Sequence, residues 1–189
     1  MQRYLKVYDN VLDKDTCERM ISLFDSKEDQ HEIYNDDLMN FNQINLIQHK
    51  DDWSEFNSIL SIKFQELLEQ YKSDCHIHVP LQWPEKYSFE EFRIKRYEPN
   101  EGKFDYHTDV NDYNSAIRFL AFFIYLNDSD DYADGGTEFP QLGLTSPRKQ
   151  GACLVFPPLW MYPHAGLVST NRKYIVGSYL HYLKDNNAR

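Results

Sequence analysis

The chain of 189 residues is long enough for one domain whose core needs no metal or disulfide staple, and 41% hydrophobic with 15% aromatic residues excludes a disordered chain. A formal charge of −10 with scattered basic residues lacks the positive footprint of a general nucleic-acid binder, and no apolar run reaches membrane-spanning length. Cys17, Cys75 and Cys153 form no tight pair, which argues against a disulfide framework or a thiolate zinc site. They are expected as reduced thiols in a cytoplasmic protein, because no basic segment followed by an apolar stretch opens the chain.

Residues 4–12, YLKVYDNVL, alternate as a strand does. LDKDTCERMISLFDS follows, with Asp13 as a helix N-cap and Cys17, Met20, Ile21 and Phe24 on one helical stripe. Residues 26–50 are polar, Asn/Asp-rich and weakly periodic, which predicts a long loop with room for one short strand. A second helix begins near Asp51 or Asp52, either of which can cap it. Trp53, Phe56, Leu60, Phe64, Leu67 and Tyr71 recur every three to four residues, a stripe suited to packing on a sheet. After residue 86 the pattern changes to short strands with Asp, Gly and Pro between them: FEEFRIKRYEP, FDYHTDV, RFLAFFIYLND, GGTEFP, GACLVFPP and RKYIVGSYLHYL. That spacing predicts a sandwich or barrel. The expected layout is a single domain over 1–189, with helical support mainly in 13–75 and a β core over about 87–184.

The chemistry starts at YHTDV, residues 106–110. Residues i and i+2 of a strand share a face, so His107 and Asp109 can present an imidazole and a carboxylate to one point. Alone, the pair reads better as two hydrogen-bonded residues on a strand face than as half of a metal site. His164, after the Pro-rich turn that ends CLVFPP, completes a set of two histidines and one carboxylate, the facial triad of non-haem Fe(II) oxygenases. Lys173, nine residues further on, supplies a point charge suited to the distal carboxylate of a dicarboxylate co-substrate.

KRYEPNEGKFDYHTD, RFLAFFIYLND, DGGTEFP and HAGLVSTNRKYIV stand in the order of a known family, and the sequence resembles the 2-oxoglutarate and Fe(II)-dependent dioxygenases of the prolyl 4-hydroxylase type over about residues 92–183. The resemblance implies an α+β fold with a double-stranded β-helix (jelly-roll) core and N-terminal helices packed on one sheet. It implies His107, Asp109 and His164 as iron ligands, Lys173 as partner of the 2-oxoglutarate C5 carboxylate, and Tyr97 and Tyr125 as residues that line or hydrogen-bond the co-substrate. Fe(II), 2-oxoglutarate, dioxygen and ascorbate as reductant follow as cofactors, with succinate and CO2 released. The implied partner is a peptide or protein containing proline, with no nucleic acid or membrane. A free amino acid or another small molecule is the alternative substrate, and a non-catalytic metal-binding β-helix protein the alternative class.

The chain departs from the family by lacking the proline and one residue of spacing before the lysine, which makes Arg172 a rival of Lys173. Alternation puts Lys173, Ile175, Gly177 and Tyr179 on one face and Arg172 on the other, and the match of KYIV favours Lys173. Arg118 is a candidate substrate residue, set opposite Tyr125 unless a bulge intervenes, and Trp160 either lines the substrate mouth or belongs to the core. His76 and His78 alternate without a third ligand, His181 and the tyrosines of SYLHYLK are expected to pack or face solvent, and NDSDDYAD (127–134) reads as a solvated acidic loop.

Overall fold

The computed structural model describes residues 2–129, 131 and 134–184. Its helices are α1, Lys14–Ser26, and α2, Lys50–Asp74. The strands are β1 (Lys6–Tyr8), β2 (Glu32–Asn35), β3 (Met39–Asn45), β4 (Tyr87–Phe89), β5 (Arg93–Tyr97), β6 (Lys103–His107), β7 (Arg118–Tyr125), β8 (Thr137–Phe139), β9 (Leu144–Ser146), β10 (Cys153–Phe156), β11 (His164–Gly166) and β12 (Lys173–Tyr182).

All pairings are antiparallel, in the order β1-β10-β7-β12-β5-β3-β6-β11-β8-β9, with β2 added to β3 and β4 to β12. The sheet curls into a nearly closed barrel, the double-stranded β-helix expected from the sequence. Strand alternation gives this wall two faces. Ile44, Ile94, Phe122, Ile124, Val155, Tyr174 and Val176 form one buried cluster with Cys17, Met20 and Phe24 of α1 and with Trp53, Phe64, Leu68 and Tyr71 of α2. The helices therefore cover one sheet. A smaller cluster, Ala121, Phe139, Leu154, Phe156 and Tyr162, fills the opposite side.

Both helices use the predicted stripes, but their starts differ. Asp13 caps α1 by accepting the Thr16 amide at 2.8 Å. α2 begins at Lys50, earlier than the Asp51 or Asp52 cap predicts, and His49 at its N-cap makes no side-chain cap bond. Asp52 is drawn away to Lys27 (2.7 Å) and Gln30 (2.6 Å), and Gln30 in turn accepts the buried Trp53 indole N–H at 2.9 Å. Asp25 on α1 receives both the Tyr174 hydroxyl (2.9 Å) and Arg96 (3.0 Å), tying the helix layer to β12 and β5.

Residues 26–50 depart furthest from expectation: they form the β2–β3 hairpin, and β3 bridges β5 to β6. The strand expected over 4–12 shrinks to β1. The three cysteines are buried free thiols. Of the acidic run 127–134, residues 130, 132 and 133 lie outside the described residues. Asp134 is structural rather than simply solvated: it accepts hydrogen bonds from the Ser129 and Ser169 hydroxyls and from Thr170.

Candidate metal and co-substrate site

β6 ends at His107 and pairs with β11 so that His107 stands directly opposite His164. Asp109 lies just past the end of β6, so its approach to the histidines comes from the turn and not from a continued strand. The ligand-capable atoms of the three side chains all lie within 4.8 Å of one another. His107 Nε2 is 3.4 Å from Asp109 Oδ1, and His164 Nε2 is 3.4 Å from Asp109 Oδ2. Each histidine donates from Nδ1 to the carbonyl two residues earlier, His107 to Asp105 at 2.6 Å and His164 to Tyr162 at 3.0 Å. That bond fixes the tautomer and leaves the Nε2 lone pair free to ligate.

Asp109 Oδ2 is buried without a hydrogen-bond partner, whereas Oδ1 accepts the Tyr179 hydroxyl at 2.6 Å. An orphaned buried carboxylate oxygen is costly, and a cation between two imidazoles removes the cost. Burial alone would raise the Asp109 pKa, but the neighbouring His164 and His107 and the Tyr179 hydroxyl outweigh it and hold the carboxyl at about 2. The same burial lowers the His164 pKa. Two imidazoles and one carboxylate suit Fe(II). Among the described residues no other group of three metal-capable side chains converges; His76 and His78 are exposed.

The triad opens into a cavity of about 630 Å³, its mouth included, lined among others by Lys95, Tyr97, Phe104, Phe123, Thr137 and Ile175. Lys173 is fully buried beside it, with Nζ 2.7 Å from the Leu167 carbonyl and 4.3 Å from the centre of the Tyr97 ring. Burial and the Arg148 charge push its pKa down to about 7, Asp134 acting in the opposite direction. Arg172 faces away, pairing with Glu98 at 2.9 Å, as alternation predicts. Gly177 is required in the wall, because a β-carbon there would be driven into the Phe123 ring.

The other sequence candidates fall into place unevenly. Tyr125 is buried and its hydroxyl meets Thr137 Oγ1 (2.7 Å) and Ser146 Oγ (2.8 Å), so Thr137 stands between it and the cavity. Arg118 pairs with Glu90 through Nε (2.7 Å) and Nη2 (2.9 Å), lies 4.1 Å from the centre of the Tyr179 ring and donates to the Asp109 carbonyl at 3.4 Å. An irregularity between Leu180 and His181 in the β12–β7 pairing resets alternation at this end. Trp160 is 75% exposed and so is not a core residue. Sequence reading missed Tyr179 as the Asp109 partner and Lys95 as a cavity cation, although the alternation that puts Tyr179 on the face of Lys173 was readable.

A family model described as the 2OG-Fe(II) oxygenase superfamily matches residues 92–181. Those residues are a 2OG-Fe(II) oxygenase domain. A search of curated protein sequences finds no match. The oxygenase is similar in structure to the viral collagen prolyl hydroxylase of Paramecium bursaria Chlorella virus-1 in its 2OG complex, with a TM-score of 0.66, 21% identity and coverage of 95% of this chain and 97% of that one. A Pseudomonas putida prolyl-4-hydroxylase follows at TM-score 0.64 and 15% identity, covering 95% and 93%. A Trichoplax adhaerens prolyl hydroxylase in complex with a hypoxia inducible factor oxygen degradation domain peptide fragment reaches TM-score 0.69 at 12% identity, covering 95% and 84%. At these identities the likeness establishes the fold. The oxygenase is a 2-oxoglutarate-dependent dioxygenase that uses Fe(II) and 2-oxoglutarate. Among its described residues no helix is long and apolar enough to cross a membrane.

Proposed function

We propose that the enzyme hydroxylates a prolyl residue in a peptide or protein, releasing succinate and CO2. One observation supports this most: His107, Asp109 and His164 converge around an orphaned carboxylate oxygen in a cavity that Tyr97 also lines, with the Lys173 ammonium against the Tyr97 ring. His107 and His164 through Nε2 and Asp109 through Oδ2 are the iron ligands. When bound, Fe(II) and 2-oxoglutarate supply the oxidising chemistry, the activation of dioxygen coupled to decarboxylation of the co-substrate.

The chain's own residues bind, orient and exclude water. Lys173 pairs with the distal carboxylate of 2-oxoglutarate, an interaction strengthened by the low dielectric around it. Tyr97 fixes the ammonium from below, and Tyr125 holds Thr137 at the cavity wall. Phe104, Phe123 and Ile175 keep the cavity apolar. Arg118 is committed to Glu90 and to the Asp109 backbone, which favours a role in holding the ligand turn over one in gripping substrate. Exposed Trp160 is the better candidate for the substrate mouth. The peptide-bound Trichoplax enzyme, which shares the fold, supports a peptide substrate.

The test is succinate formation and mass gain of one oxygen on proline-containing peptides with Fe(II), 2-oxoglutarate and ascorbate. His164→Ala is expected to abolish both. Turnover on free amino acids but on no peptide would overturn the peptide assignment.

A further inference from the structure

Lys95 is a cation in the cavity wall that the reaction as described does not use. It extends from β5 on the same face as Tyr97, with Nζ 4.5 Å from the centre of the Phe41 ring and 5.3 Å from that of Phe104. Phe104 is itself stacked on His107 with ring centres 3.5 Å apart, so the ammonium stands one aromatic layer from the triad. Among the described residues no carboxylate pairs with it and no hydrogen bond engages it. Arg93, the next cation along the wall, is already paired with Glu90 and Glu91. Lys173, on the other side of Tyr97, is bonded to the Leu167 carbonyl.

Charge accounting in the loaded site decides what Lys95 is for. The dication and Lys173 are balanced by Asp109 and by the two carboxylates of 2-oxoglutarate, so the site is neutral before Lys95 is counted. Asp109, the carboxylate whose charge acts on Lys95, would then be engaged by the metal. Lys95 is half-buried in a largely apolar wall, and an ammonium partly withdrawn from water without a counter-charge gains when a ligand brings one. The aromatic rings on which it rests stabilise the cation in place without neutralising it.

We propose that Lys95 anchors a carboxylate of the primary substrate, so that the residue to be hydroxylated is presented next to an anionic group. This rests on the reading of the cavity as the Fe(II) and 2-oxoglutarate site. The carboxylate comes either from an acidic side chain flanking proline in a peptide or from the α-carboxylate of a free amino acid, and the chemistry that recognises it is the same.

The experiment is calorimetric binding to anaerobic enzyme loaded with Fe(II) and 2-oxoglutarate, which does not depend on turnover. The probes are a blocked Gly-Pro-Glu-Gly peptide with its Gln counterpart, and free proline with prolinamide. The expected result is roughly tenfold or greater preference for the carboxylate member of one pair. Lys95→Met is expected to erase that preference, Lys95→Arg to keep it, and neither to change 2-oxoglutarate affinity more than about twofold. The pair that shows the preference identifies the source. Equal binding of acid and amide across both pairs, or a Lys95→Met enzyme that loses 2-oxoglutarate instead, overturns the proposal. Failure of the prolyl assignment appears separately, as carboxylate binding without hydroxylation of any proline peptide.

Discussion

Asp109 uses its two oxygens differently: Oδ1 is held by the Tyr179 hydroxyl, while Oδ2 is left open between the histidines. Tyr179 is in turn overlaid by Arg118, whose partner is Glu90. Tyr179→Phe removes the hydrogen bond and keeps the ring, so Fe(II) affinity is expected to fall roughly 10–100-fold with the fold unchanged. A metal titration beside a circular dichroism spectrum checks it. Lys173 carries a pH signature. Its folded pKa of about 7 lies below the ordinary 10.5, so between those values the folded chain holds fewer protons than the unfolded one, and stability without co-substrate gains with rising pH from this group. Binding a dicarboxylate restores the proton. At pH 8 co-substrate binding is expected to take up a proton, seen as a binding enthalpy that varies with the ionisation enthalpy of the buffer. The triad and Lys173 were legible as residue types at family spacings. Lys95 was not, because a lysine in a strand pattern is indistinguishable from a solvent-facing one until the barrel closes around it.

Helix α2 shows what sequence pattern reads well. Its whole aromatic and leucine stripe, Trp53 to Tyr71, is buried against the sheet, and Phe64 packs on Phe89, Phe92 and Phe122. Phe64→Ala is expected to cost about 3–5 kcal/mol in denaturant unfolding, because a rigid neighbourhood of rings cannot collapse into the void. The β2–β3 hairpin shows what the pattern hides. β3 buries Gln43 and Asn45 beside Phe41 and Ile44, with Gln43 donating to Glu32 at 2.9 Å and Asn45 accepting the Ile47 amide at 3.1 Å. Polar residues satisfied inside the fold break the alternation by which a half-buried strand is recognised. The Asp51/Asp52 cap failed for a related reason: Asp52 forms tertiary bonds to Lys27 and Gln30 that a local rule cannot anticipate.

Across the whole molecule, the helix layer and the reactive cavity sit on opposite faces of one wall, so the large core can stay intact while the cavity is loaded or emptied. Ligands that bind only the folded state stabilise it by mass action, by about 2.7 kcal/mol at a hundredfold excess over Kd. Anaerobic addition of Fe(II) with 2-oxoglutarate is therefore expected to raise the thermal midpoint, and His164→Ala to abolish that rise. The formal charge of −10 surrounds a cavity in whose wall Lys95 has no carboxylate partner among the described residues, so anionic ligands are selected at short range within the cavity and not gathered from a distance.

β12 carries both duties: Tyr174, Val176 and Leu180 belong to the helix-facing core, Ile175, Gly177 and Tyr179 line the cavity from the alternate positions, and Ser178 also borders it. The strand is in effect two interleaved records, one of durability and one of selectivity, which can be rewritten independently by substitution. Changes at Val176 are expected to alter melting but not the substrate preference of the folded fraction, and changes at Ile175 the reverse. Deleting a single residue would exchange the two records at once, so β12 should accept many replacements and no change of length.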